Sequence, residues 1–232
     1  MRPEHVLIVC LGGVFCLTPL AAYLYTIARI TRRDHPTVVS GAWDFAGVVL
    51  GLSGFIVFGG ALVLSVLQSN VRYATRGNLE AFRDAWQREG HVWIVVSVSY
   101  LVIVLGVIVL TLLSRRRSLV VYNVEPAAFE ATVAEVLEQV GRPAERRGNL
   151  WSSGGPLFEV DRFVGGQTVT LRWVSDDVRL FQEVERLLRE ALRTVYPDDN
   201  VASPWLMAAA GGLGFWSACC LGLLLVYIFS SR

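Results

Sequence analysis

Four stretches of this chain, residues 6–28, 45–67, 92–113 and 204–229, carry no charged residue and run for 22 to 26 residues each. An α-helix rises about 1.5 Å per residue, so each stretch is long enough to cross roughly 30 Å of hydrocarbon. Inside lipid a backbone must satisfy its own N–H and C=O groups, and a helix is the only lone segment that does so. The chain therefore reads as an α+β membrane protein with four transmembrane helices. Its 53% apolar composition is concentrated in those stretches, which excludes a single water-soluble globule, a disordered chain and a disulfide-stapled mini-domain. The first stretch is longer than a signal-peptide core and ends on Arg29, Arg32 and Arg33, so a retained helix is expected. Trp43, Trp93 and Trp205 stand where three stretches begin, and Tyr23, Tyr25 and Tyr227 near ends, as rings do at headgroup depth.

The arginines flanking the stretches divide evenly. Arg29, Arg32, Arg33, Arg115, Arg116 and Arg117 fall on one side, and Arg2, Arg72, Arg76, Arg83, Arg88 and Arg232 on the other. Clustering breaks the tie, because three arginines follow the first stretch and three follow the third. The expected arrangement is multi-pass in the cell (inner) membrane, both termini outside, residues 114–203 in the cytoplasm. Arg115, Arg116 and Arg117 read as a stop-transfer cluster in reach of anionic lipid headgroups. Small residues recur at helix-contact spacing: Gly47 with Gly51, Ala208 with Gly212, Ala210 with Gly214. They predict close packing within the four helices, between copies in a homo-oligomer, or against a partner's helix. Pro19 frees the carbonyl four residues back, for which the Thr18 hydroxyl is the expected compensation. Ser97, Ser99 and Tyr100 should bond to their own backbone or to a neighbouring helix. No stretch holds an acid, a base or a histidine at depth, which argues against a transport pathway through one copy.

Between the second and third stretches, Asn78 and Gly90 bracket Leu79, Phe82 and Trp86 at helical spacing. A separate amphipathic helix over 79–89, lying in the interface or capping the bundle, is expected there. Residues 1–117 thus hold helices 1–3 (6–28, 45–67, 92–113), residues 118–203 a soluble domain, and residues 204–232 the fourth helix.

The domain shows soluble periodicity. A strand is expected from Leu119, then a helix opened by Glu125-Pro126 with Phe129, Val133, Val136, Leu137 and Val140 on one face and a stop at Gly141. Strands follow over 146–152, 157–163 and 167–174, with Val169, Leu171 and Trp173 alternating with Thr168, Thr170 and Arg172 and a hairpin at Gly165-Gly166. A last helix is capped by Ser175 or Asp176 and ends near Pro197. The order β-α-β-β-β-α, with two one-sided helices, predicts a small two-layer sandwich inserted between the third and fourth helices, its other sheet face partly open.

The chemistry is narrow. All 21 basic residues are arginine, which removes Walker, Schiff-base and Ser/Lys lysine mechanisms. Cys10, Cys16, Cys219 and Cys220 sit in apolar stretches and read as small hydrophobes, and His5, His35 and His91 lie far apart, so no metal and no cofactor is expected. Residues 118–203 hold 9 arginines against 14 acids, a balance that disfavours nucleic acid. Glu159 and Asp161 share a strand face, but no histidine in the domain could serve them as a base. Together with Thr168, Thr170 and Arg172 they form a mixed face suited to recognition. The expected function is a non-catalytic membrane protein whose cytoplasmic domain is a protein-interaction or regulatory module. The alternatives are an accessory subunit of a transporter or channel and, behind both, a membrane-bound enzyme acting on lipid.

Overall fold

The structure is a computed structural model and describes residues 3–67, 79–197 and 200–230. It is a mixed fold, 69% helical, with one antiparallel sheet. In chain order it comprises α1 (Pro3–Ile30), β1 (Thr37–Ser40), α2 (Gly41–Leu67), α3 (Leu79–Ser114), β2 (Ser118–Tyr122), α4 (Pro126–Gln139), β3 (Glu145–Arg147), β4 (Leu150–Ser152), β5 (Pro156–Phe163), β6 (Thr168–Trp173), α5 (Val178–Ala191) and α6 (Ala202–Ser230). α1, α2, α3 and α6 contain segments long and apolar enough to cross a membrane: Val6–Ile30, Gly41–Gly60, Gly90–Ser114 and Ala202–Ser230.

Two compact units divide the chain. The first comprises residues 1–23, 48–110 and 209–232, the second residues 24–47 and 111–208. In the first unit the helices meet through small residues and single polar contacts. Phe15 and Phe58 bring α1 against α2 with ring centroids 6.0 Å apart. Thr18 Oγ1 lies 2.7 Å from Ser217 Oγ, joining α1 to α6, and Tyr100 of α3 donates to the Ile56 carbonyl of α2 at 2.7 Å. A Cβ at Gly60 would stand 2.3 Å from the Tyr100 ring.

Pro19 lies inside α1 and has no N–H to offer the Phe15 carbonyl. Thr18 does not replace it: its hydroxyl donates instead to Val14 O at 2.6 Å. The Phe15 carbonyl is met by α2, where a Cβ at Gly54 would stand 2.1 Å from that oxygen and 2.6 Å from Cys16 Cα. Only glycine lets the two backbones approach this closely.

The connection between the second and third spans differs from expectation. α3 is one helix of 36 residues from Leu79 to Ser114, with no break at Gly90. A mid-helix glycine costs about 1 kcal/mol, too little to end a helix whose hydrogen bonds continue on both sides. Asn78, the expected start, lies outside the described residues, as do the side chains of Leu79, Phe82 and Trp86.

In the second unit the sheet order is β1-β2-β6-β5-β4-β3. β1 was not foreseen. It comes from the connection between α1 and α2 and pairs with β2 in the register Thr37↔Tyr122 to Ser40↔Leu119. The sheet is therefore assembled from two separate parts of the chain, not from one insertion. The single strand expected over 146–152 is instead a hairpin, β3 and β4, turning at Gly148 with φ +66°. The Gly165-Gly166 hairpin forms, but the left-handed residue is Gln167, at φ 46°.

α4 and α5 both cover one face. Phe129, Val133, Val136 and Leu137 from α4, with Leu180, Phe181, Val184 and Leu188 from α5, close over Leu119, Val121, Phe158, Val160, Val169 and Leu171. An aromatic column runs through this core, with centroid separations of 5.9 Å for Trp151–Phe158, 5.5 Å for Phe158–Trp173 and 5.5 Å for Trp173–Phe181. Pro126 sits in the first turn of α4 as expected. The cap of α5 is Asp177, whose carboxylate accepts from Leu180 N at 3.0 Å; Ser175, two residues before the cap, accepts from Asp177 N at 3.3 Å.

Gly54→Ala should destabilise the full chain by about 1–3 kcal/mol, because the clash is with backbone. Gly59, five residues on, has nothing within 4 Å of a built Cβ, and Gly59→Ala should be neutral or stabilise by up to about 1 kcal/mol. Thermal unfolding of both variants in the same detergent makes the comparison.

Candidate functional site

The face of the sheet away from α4 and α5 is divided. Over β2 it is closed. Ser118, Val120 and Tyr122 are buried like the core residues between them, and the start of α2 lies against Ser118 and Tyr122. Gly41 lies so near Ser118 that a Cβ there would stand 1.9 Å from Ser118 Oγ. Asp44, in the first turn of α2, accepts a hydrogen bond from the Tyr122 hydroxyl. Arg115 stacks its guanidinium over the Phe45 ring at 5.2 Å. The β1 edge is finished by α5, where Arg189, already held by Glu185 at 2.7 Å, donates to the Val38 carbonyl at 2.6 Å.

Beyond β6 the same face is open. Register places Glu159 opposite Arg172, Asp161 opposite Thr170 and Phe163 opposite Thr168. With Arg147, Asn149 and Leu150 from the β3-β4 hairpin they line a cavity of about 560 Å³, except for Phe163 and Thr168 at its side. All five residues that sequence reading assigned to a recognition face thus share one surface. Glu159, Asp161 and Arg172 form no ion pair with any described residue, so their charge is not committed within the fold. Four side chains of this surface fall outside that assignment, Leu150 of the hairpin among them. Arg147 and Asn149 reach the face through the unforeseen hairpin, and Phe163, 67% exposed, continues the Glu159, Asp161 alternation by two residues.

The other candidates separate. Gly51 packs on Tyr23, where a Cβ would stand 2.8 Å from Tyr23 Cβ, and Gly47 is half-buried. On α6, Ala210 is buried and Gly214 half-buried, whereas Ala208 and Gly212 are exposed and nothing lies within 4 Å of a Cβ built on Gly212. Arg117 meets Asp176 at 3.1 Å in an exposed pair, and Arg116 is exposed.

Charge also shifts with the true extent of the unit. Residues 24–47 and 111–208 hold 15 arginines against 16 acids, so the helix ends nearly neutralise the acidic domain. Among the described residues no group of three or more His, Cys, Asp or Glu is placed to hold a metal. Glu130 is shared by Arg162 at 2.7 Å and by Arg146, an arrangement that ties α4 to β5 and to the hairpin.

No family model matches the chain, and no curated protein and no solved structure is significantly similar to it.

Tyr122→Phe removes the hydroxyl that joins β2 to α2. A hydrogen bond to a carboxylate is worth about 1.5–3 kcal/mol, so the variant should unfold that much more easily in denaturant titration of the full chain, with Asp44→Asn less affected because an amide still accepts.

Proposed function

We propose that this chain is a non-catalytic membrane protein whose sheet domain, held in the cytoplasm, docks a protein partner through the open half of its sheet. The observation that carries the reading is the row of uncommitted charges Glu159, Asp161 and Arg172 beside the exposed Phe163. An apolar anchor at one end of a row of unpaired charge of both signs gives a partner both adhesion and register. The face is built on strands, which hold such a pattern more rigidly than loops do. Glu159 and Asp161 belong to no group of three or more His, Cys, Asp or Glu placed to hold a metal among the described residues, and this reading gives them a recognition role. Arg115, Arg116 and Arg117 contact headgroups beside the domain, with Arg116 the least engaged within the fold. Membrane lipid and protein are the partners, and no nucleic acid or cofactor is assigned.

A second reading, an accessory subunit of a transporter or channel, has one observation in its favour: the Ala208 and Gly212 pair on α6 lies exposed. In lipid such a face accepts a neighbouring helix closely.

A photoreactive residue placed at 170 in native membranes should give a discrete protein adduct, reduced at least about tenfold by Arg172→Glu, since a buried interfacial charge reversal costs several kcal/mol. The same probe at 212 should capture a membrane protein if the second reading is right. Lack of a discrete adduct at 170, with an adduct at 212, would favour the accessory subunit.

A further inference from the structure

Both ends of β2 are tied to places where apolar helices enter or leave the sheet unit, and every residue concerned belongs to that unit. At the Ser118 end, β1 passes straight into Gly41, where one span-length segment starts, and only Arg115 to Arg117 separate β2 from the close of another at Ser114. At the Tyr122 end, Asn123 donates to the Arg33 carbonyl at 2.7 Å, just beyond the close of α1. Asn200, shortly before α6, donates to Gly166 O at 3.2 Å, and Gly166 leads into Thr168, the ladder partner of Tyr122. Ser203 of α6 completes the group by donating to Ala28 O of α1 at 3.3 Å. A strand that meets span ends at both of its own ends lies along a bilayer surface and does not stand upright on it.

Which face looks at the bilayer follows from α2. Its first residues lie on the face away from α4 and α5, with Gly41 against Ser118, Asp44 bonded to Tyr122 and Phe45 stacked with the Arg115 guanidinium. The layer of α4 and α5 is therefore the side turned away from the membrane. Trp43, 77% exposed in the same turn, marks headgroup depth, where indole rings settle. β6 to β3 continue the face that α2 touches, and β5 stands two strands from β2. A twist of roughly 20–25° per strand leaves the row of Glu159, Asp161 and Phe163 still turned towards the headgroups.

From this geometry we infer that the open face holds the basic juxtamembrane segment of another membrane-spanning protein. The inference rests on the protein-docking reading above and names the chemistry of the partner. A face at headgroup level admits a length of chain lying among the headgroups, whereas a globular soluble partner would have to displace lipid to reach it. Lipid alone suits the face poorly. The cytoplasmic leaflet has a negative surface potential, and Glu159 and Asp161, both exposed, make no ion pair with any described residue that would mask their charge. Chain beside the cytoplasmic end of a span carries an excess of Lys and Arg, the charge those carboxylates attract. Arg172, opposite Glu159, is left for an acidic group of the same segment, and Phe163 for an apolar one.

Two measurements on the full chain test this. In the first, Thr170→Cys on the open face and Glu135→Cys, exposed on α4, carry a nitroxide in nanodiscs whose lipids bear a gadolinium chelate at the headgroup, with the signal of the unmodified chain subtracted. Relaxation at 170 should exceed that at 135 severalfold; equal or weaker relaxation at 170 would overturn the inference by turning the face away from the bilayer. In the second, the adduct formed in native membranes by a photoreactive residue at 170 is digested and the cross-linked peptide sequenced. It should lie within about 15–20 residues of a span end, the range over which basic residues gather there, and contain Lys or Arg. Glu159→Lys combined with Asp161→Lys should lower its yield at least about tenfold, because like charges then face each other; an unchanged yield would contradict the charge match and overturn the inference. A peptide from a soluble protein would overturn the inference and leave the docking reading standing, whereas lipid adducts alone, or none, would end both.

Discussion

A strand buried on both faces cannot leave a row of its amides unpaired, and that requirement organises the second unit. All five residues of β2 are buried, with α4 and α5 on one side and the first turn of α2 on the other. β6 satisfies one edge of β2. The other edge would expose orphan donors and acceptors, each costing about 1–3 kcal/mol where water is excluded. β1 fills it. Because β1 is followed at once by Gly41 and the start of α2, pairing the edge also brings in the segment that covers Ser118 and Tyr122. The ladder, the Gly41 approach and the Tyr122–Asp44 bond are thus one cooperative arrangement.

A carbonyl freed by proline also shapes the first unit. The Phe15 carbonyl of α1 lies against Gly54 of α2, so that the site where Pro19 breaks the ladder of one helix is a point of close approach for the next. The inward line of α6, from Ala210 through Ser217 to Leu224, is small and polar before it becomes large, which suits close packing near Thr18 of α1. The two units therefore rest on different driving forces. The sheet unit buries a conventional apolar core, and the helical unit relies on close approach and a few hydrogen bonds where burial from lipid yields little.

Sequence carried the parts of this design that local chemistry dictates. Length and lack of charge marked the four spans, Glu125-Pro126 marked the start of α4, and the alternation of Val169, Leu171 and Trp173 with Thr168, Thr170 and Arg172 placed the two faces of β6 correctly. What escaped was relational. Thr37–Ser40 has only four residues and becomes a strand because β2 needs an edge partner, not because of its own pattern. Gly148-Asn149 is a hairpin signal present in the sequence, and the strand expected over 146–152 runs across it. The importance of Gly54 depends on a proline in another helix, and no spacing rule links them.

The open face presupposes that the sheet is closed by its β1 edge, since that pairing fixes β2 and, through β6, the strands that carry the face. Hydrogen exchange of the full chain in lipid nanodiscs tests this most directly. The account predicts that the ladder-bonded amides within Thr37–Ser40 exchange as slowly as those of Ser118–Tyr122 and lose protection together with them. Exchange of Thr37–Ser40 at the rate of a free coil, with Ser118–Tyr122 still protected, would contradict it.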